Sequence, residues 1–116
     1  MRGFKITRNK GFHITFDNDV TVSVQFGAGN YCQHHNEEIK SEIPKKDIES
    51  VDAEVAIWKK SGIWITREFR DENDDIFGWQ SPEQVLEVLN WAKKYKDMSS
   101  ECITTKLGFL EVDTEI

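Results

Sequence analysis

The side chains with chemistry to offer fall in four short stretches. The most unusual is Phe26-Gly27-Ala28-Gly29-Asn30-Tyr31-Cys32, where glycines follow a run of alternating valines. Glycine lets a backbone turn sharply or come close to a ligand. Asn30 carries two donors and an acceptor, and Tyr31 a flat face with a hydroxyl. Phe26, Gly29, Asn30 and Tyr31 therefore suit a small polar ligand that bears an aromatic ring, although the same residue types also build ordinary turns. The stretch is neither a P-loop nor a dinucleotide fingerprint, because the later glycine, the lysine and the strand-to-helix setting are missing. A second group is Arg67 and Arg70, with Phe77 and Trp79 just beyond. Guanidinium groups hold phosphate bidentately and stack on adenine, and the two rings add stacking faces. The plain alternative is a pair of exposed strand arginines balanced by Glu68 or by the acidic turn that follows.

The other two stretches offer less. Cys32, His34 and His35 are zinc-ligand types, but they stand as one cluster, whereas zinc takes four ligands that usually come in two spaced pairs. We therefore expect no metal site. Asp71-Glu72-Asn73-Asp74-Asp75 lacks the glycine and glutamate of a calcium loop and reads as a solvated turn. Ser23, Ser81 and Cys32 lack a nucleophile motif. No catalytic residue is expected, and the chain reads as a binder that needs no cofactor rather than as an enzyme.

Strands and one helix must position these groups. Phe12, Ile14 and Phe16 alternate with polar residues, as do Val20, Val22, Val24 and Phe26. That period of two marks half-buried strands, with Asp17-Asn18-Asp19 as the hairpin turn between them. Phe4 and Ile6 suggest a shorter strand ahead of a turn at Asn9-Lys10-Gly11. Ala53, Val55 and Ile57 predict another strand, turning at Lys59-Lys60-Ser61-Gly62 and returning through Ile63, Ile65, Arg67 and Phe69. Trp58 and Trp64 then fall together on the opposite face. The polar Gln33–Asp52 link reads as an exposed loop with room for a short helix at Lys45–Ser50, and the segment from Phe77 to Trp79 reads as a loop. Ser81, Pro82 and Gln84 form a capping box that opens a helix over Pro82–Tyr95, with Val85, Val88, Leu89, Ala92 and Tyr95 on its core face. Leu107, Phe109 and Glu111 suggest a final strand.

The chain has 116 residues, 38% of them hydrophobic and 31% charged, which suits one domain over residues 1–116. No apolar run is long enough to cross a membrane and no leader is expected at the N-terminus. The net charge of −6 opposes binding to polymeric nucleic acid, which needs a basic surface. Two cysteines far apart in sequence fit a reduced, cytoplasmic setting. Four Trp and seven Phe exceed what one sheet and one helix bury, and this predicts a homo-oligomer that covers Trp58 and Trp64.

Gly11-Phe12-His13-Ile14-Thr15-Phe16, followed by Val20 to Phe26 and Gly27-Ala28-Gly29-Asn30-Tyr31-Cys32, resembles a family of small bacteriophage proteins. Ala53-Glu54-Val55-Ala56-Ile57-Trp58 and Gly78-Trp79-Gln80-Ser81-Pro82-Glu83 extend the resemblance, which spans most of the chain from Gly11 to Tyr95. The chain departs from that pattern with Asp19 and Val20 in place of Gly and Trp, and with Ala28 in place of Pro. Its outline is also similar to the phage Thoeris anti-defence proteins, which bind cyclic ADP-ribose signals without cleaving them. The resemblance implies an α+β fold: an antiparallel sheet of about five or six strands, one main helix and one or two short C-terminal helical segments. It implies a cyclic nucleotide as the small-molecule partner, assembly from dimers, and action in the host cytoplasm. A phage protein that blocks a host protein and a small nucleotide-processing enzyme are the alternative readings.

Overall fold

The computed structural model describes residues 2–8, 10–27, 30–34, 36, 47–71 and 74–96. Ala28, Gly29, His35 and the strand expected over 107–112 lie outside the described residues. Five strands, β1 (Gly3–Ile6), β2 (Gly11–Thr15), β3 (Thr21–Gln25), β4 (Ala53–Trp58) and β5 (Phe77–Gln80), form one antiparallel sheet in chain order. Among the described residues two helices, α1 (Thr66–Phe69) and α2 (Pro82–Lys94), join the sheet in an α+β fold.

The hairpins follow from turn chemistry and from close approach. Asp19 sits at φ 64°, a left-handed conformation that aspartate tolerates. Its N–H donates to Phe16 O at 2.9 Å, closing the β2–β3 turn. A Cβ on Gly11 would stand 2.0 Å from the Val24 carbonyl oxygen, so only glycine lets β2 start this close to β3. The register then aligns Phe12 with Val24 and Ile14 with Val22, and across the next pair Val22 with Ile57 and Val24 with Val55. One face of the central strands is thereby continuously apolar.

Helix α2 covers that face. Ser81 Oγ accepts from Gln84 N at 3.2 Å while Gln84 Oε1 accepts from Ser81 N at 2.8 Å, the reciprocal capping box. Val88 and Ala92 are fully buried against Val22, Val55, Ile57 and Phe77, with Val85, Leu89, Trp91 and Tyr95 at the margins. Each fully buried side chain of this size contributes about 1.5–3 kcal/mol. The far end of α2 is held by the β2–β3 turn: Asn18 Nδ2 donates to Ala92 O and Tyr95 O, each at 2.9 Å, while Asn18 Oδ1 accepts from Val20 N at 3.1 Å. One side chain thus ties hairpin to helix by donating to carbonyls at the helix C-terminus.

The opposite face is polar and small at its centre. Thr21 and Ser23 are buried there, and the Thr21 hydroxyl lies 2.8 Å from that of Thr15. His13 and Trp58 project from the strands on either side of β3, and their rings meet edge to face at 5.0 Å. The register places Thr21 and Ser23 beneath that contact. Trp64 adds a third ring at 5.7 Å from Trp58.

Two expectations need correction. The return strand through Ile63, Ile65, Arg67 and Phe69 does not form. Trp64 makes a single bridge to Trp58, Ile65 N donates to Ile57 O at 2.8 Å, and then the chain coils into α1. The cause is Thr66, which is fully buried: its hydroxyl accepts from Ile57 N at 2.9 Å and donates to Ile57 O at 3.3 Å, taking the place of a further ladder partner. One helical turn then carries Phe69 to Phe77 and Trp91, with ring centres 6.2 and 5.5 Å away. The second correction is that Phe77 to Trp79 is strand, not loop, because the other half of the β4 edge is free to receive it. At 47–50, the described part of the helix expected over Lys45–Ser50, no helix forms.

Candidate functional site

The β4–β5 register creates the feature on which the site depends. Ala53 pairs with Gln80 and Val55 with Phe77, so Gly78 and Trp79 together stand opposite Glu54. This is a β-bulge, and Trp79 takes the left-handed value of φ 51° within it. Because of the extra residue, Phe77 and Gln80 both face the α2 layer and are buried. Trp79 instead turns outward and is 55% exposed. Bulges of this kind re-aim one side chain without disturbing the rest of a sheet.

The segment after β3 is laid against this bulge by its backbone. Tyr31 O accepts from Trp79 N at 2.8 Å, and Tyr31 N donates to Glu54 Oε2 at 3.0 Å. Gln33 N donates to Asp52 Oδ1 at 2.7 Å and Gln33 Oε1 accepts from Val51 N at 2.8 Å. Cys32 is buried, with its thiol donating to Phe26 O at 2.9 Å. Gly78 leaves room for the arrangement: a Cβ there would lie 2.7 Å from Tyr31 Cβ. The result is a Tyr31–Trp79 pair, stacked with ring centres 5.5 Å apart and planes 24° apart, in which both side chains keep exposed surface. Offset aromatic pairs at this spacing are favourable in themselves.

The expected site residues divide between the two faces of the sheet. Tyr31 and Trp79 come together, with half-buried Asn30 next to Tyr31 in the chain. Phe77 does not join them, because it belongs to the core. Phe26 also packs against the core, partly buried. Arg70 is engaged elsewhere: its guanidinium lies 4.4 Å above the Phe77 ring and 5.5 Å from that of Phe69, and Nη2 donates to Gln80 Oε1 at 2.9 Å. These are contacts on the helix side, opposite to Trp79. Arg67 is exposed on α1. Sequence reasoning missed Glu54, whose only signal was a lone carboxylate within an otherwise apolar strand, and Gly78, which looked like part of a loop.

The Cys32, His34 and His35 cluster has a structural explanation for its two described members. The Cys32 thiol is directed at Phe26 O, and His34 Nε2 lies 2.7 Å from Glu49 O. Among the described residues no three His, Cys, Asp or Glu side chains gather at metal-binding spacing. On the same face of the sheet as Trp79, His13 has its pKa lowered from the ordinary 6.5, first by burial and then by the charge of Lys5, its neighbour on β1. No helix among the described residues is long and apolar enough to cross a membrane. Compared with known protein families, with curated proteins and with solved structures, the chain matches none.

Proposed function

We propose that this protein binds and sequesters a small cyclic nucleotide signal of the cyclic ADP-ribose type without cleaving it, as a phage anti-defence protein in the host cytoplasm. The observation that supports this most is the Tyr31–Trp79 pair, an exposed aromatic surface held by the Trp79 N–H to Tyr31 O bond and by the Glu54 carboxylate on Tyr31 N. Affinity from such a surface comes from preorganisation, since the rings are ordered before a base arrives. Lys10 lies against Gly27, where a Cβ would stand 2.6 Å from Lys10 Cγ, so a cationic side chain is held next to the segment that leads to Tyr31. In this reading Arg67 is the remaining candidate for phosphate, and Arg70 serves packing. No nucleophile or general base is required for sequestration.

A second reading, a blocker of a host protein, draws on Trp64 and Ile63, which are exposed beside Trp58. Tryptophan is a frequent anchor of protein interfaces. One experiment separates the two. The melting curve of the protein is recorded with a panel of cyclic and linear nucleotides. A ligand at 100 times its dissociation constant adds about 2.7 kcal/mol of stability. Recovery of that ligand intact after denaturation supports sequestration, and recovery of a cleaved product indicates an enzyme. If no nucleotide shifts the curve, the nucleotide reading fails and the blocker takes its place.

A further inference from the structure

The outer side of β1 combines two properties that a solitary edge strand normally avoids. Thr7 N donates to Gly11 O at 3.1 Å, so Thr7 turns its backbone groups toward β2. Alternation along an antiparallel pair then directs the groups of Lys5 and Gly3 to β2, opposite His13 and Thr15. The N–H and C=O of Phe4 and Ile6 point the other way, off the edge of the sheet. The same parity appears one strand further in, where Phe26 N donates to Lys10 O and Phe16 N to Val20 O. Phe4 and Ile6 are also the most exposed apolar side chains among the described residues, at 71% and 78%. They lie on the helix side of the sheet, but α2 rests on β3, β4 and β5 and leaves this stripe bare. The opposite edge is occupied, with Trp79 N bonded to Tyr31 O and Ile57 O to Ile65 N. Native edges are usually protected by charge, proline or a cover.

We infer that β1 pairs with β1 of a second copy of this chain, antiparallel about a two-fold axis at Phe4, so that one sheet runs through both protomers. The register follows from elimination. An axis at Lys5 sets two lysines directly opposite, which is destabilising. An axis at Ile6 sets Phe4 against Arg8, whose φ of 50° has left the extended conformation and cannot continue a ladder. With the axis at Phe4, each Phe4 meets the partner's Phe4, Ile6 meets the partner's Arg2, and Lys5 meets the partner's Gly3. Gly3 has φ 127° and open space where a side chain would be, so the lysine stem is accommodated. Lys5 then lies in the row of the partner's Thr15, two residues from the partner's Asp17, whose carboxylate pairs with the partner's Arg2. Phe4 already leans on Phe12 with ring centres 6.4 Å apart, so four aromatic rings form a ladder across the axis. A two-fold interface places the same residues on both sides, and at this register each apolar side chain of β1 is covered while no two lysines face each other.

The test uses the full chain and light scattering at micromolar concentration. The parent is expected to run at twice the 13.5 kDa mass of one chain. Phe4→Glu and Phe4→Lys are each expected to halve that mass, because like charges meet on the axis. An equimolar mixture of the two is expected to recover the doubled mass. Both substitutions fall on an exposed side chain, and an unchanged far-ultraviolet circular dichroism spectrum verifies the fold. A parent that runs at 13.5 kDa overturns the inference. So does a Phe4→Glu variant that stays dimeric, or a mixture that fails to associate while the parent does.

Discussion

Tyr31 owes its position to three neighbours rather than to the turn residues around it. Glu54 takes its N–H, Trp79 gives its own N–H to the Tyr31 carbonyl, and Gly78 leaves space for its Cβ. Stacking on a base is worth about 1–3 kcal/mol by alanine substitution. Tyr31→Ala and Trp79→Ala are therefore expected to weaken nucleotide binding about tenfold or more, taking about 1.4 kcal/mol per decade. Gly78→Ala should do the same from beneath, because the new methyl displaces Tyr31 while both rings remain. Arg70→Ala is expected to lower thermal stability and leave binding unchanged, whereas Arg67→Ala reduces binding if it meets phosphate; titration calorimetry on folded variants decides. Unaltered affinity in both ring variants would place the ligand elsewhere. His13 supplies a pH dependence. Its folded-state pKa is below the unfolded 6.5, so the unfolded chain takes up protons first on acidification. The stability linked to His13 is complete above pH 6.5 and is lost as pH falls through the lowered value. His13→Gln should flatten the melting profile in that window, and an unchanged profile would show that His13 does not titrate differently on folding.

At the level of elements, the helix is held at both ends and along its buried stripe. The stripe is narrower than its periodicity suggests: Val88 and Ala92 are fully buried, while Leu89 is only partly so. Val88→Ala removes two methyl groups and is expected to cost about 2 kcal/mol, from about 0.8 kcal/mol per buried carbon plus a cavity contribution. Leu89→Ala should fall below the ~2–5 kcal/mol of a fully buried deletion. Asn18→Ala removes the donor to Tyr95 O and one of the two donors to Ala92 O, which keeps the Tyr95 N–H, and is expected to cost about 1–3 kcal/mol. Denaturant unfolding of the three variants gives the order directly. An Asn18→Ala cost near zero would mean that the hairpin and the helix hold together without it. Helix α1 shows how one side chain redirects an element. Ile65 and Phe69 are four residues apart, a spacing that fits one turn of helix as well as a strand, and the Thr66 hydroxyl decides between them.

At the level of the molecule, two surfaces compete to explain the aromatic excess. Trp58 is half-buried between His13 and Trp64, so that face already covers part of its own apolar area. Phe4 and Ile6 at the β1 edge have no such cover. An assembly that uses the β1 edge keeps its mass in Trp64→Ala and loses it in Phe4→Glu; an assembly through the tryptophan face shows the reverse. The Tyr31–Trp79 pair stands by the opposite edge of the sheet from β1, so pairing through β1 does not reach it in either copy.

The hairpins, the central strands and the capped helix were legible in the sequence, because each is specified by neighbours within a few residues. Alternation assigns Val22 and Val24 to one face, the Asp-Asn-Asp run makes a turn, and Ser81, Pro82 and Gln84 open α2. Residue type also marked Tyr31 and Trp79 as flat rings, and the structure stacks them on each other. What only the tertiary structure decided is where strand pairing starts, stops and slips. The bulge that turns Trp79 toward Tyr31 exists because two residues of β5 stand opposite one residue of β4, some two dozen positions earlier in the chain. The same slip sends Phe77 into the core and leaves Arg70 on the far side of the sheet from Trp79. Side-chain periodicity in a strand is two, so a single added residue reverses the face of everything beyond it. No local pattern contains that residue, because it is defined only by its partner strand.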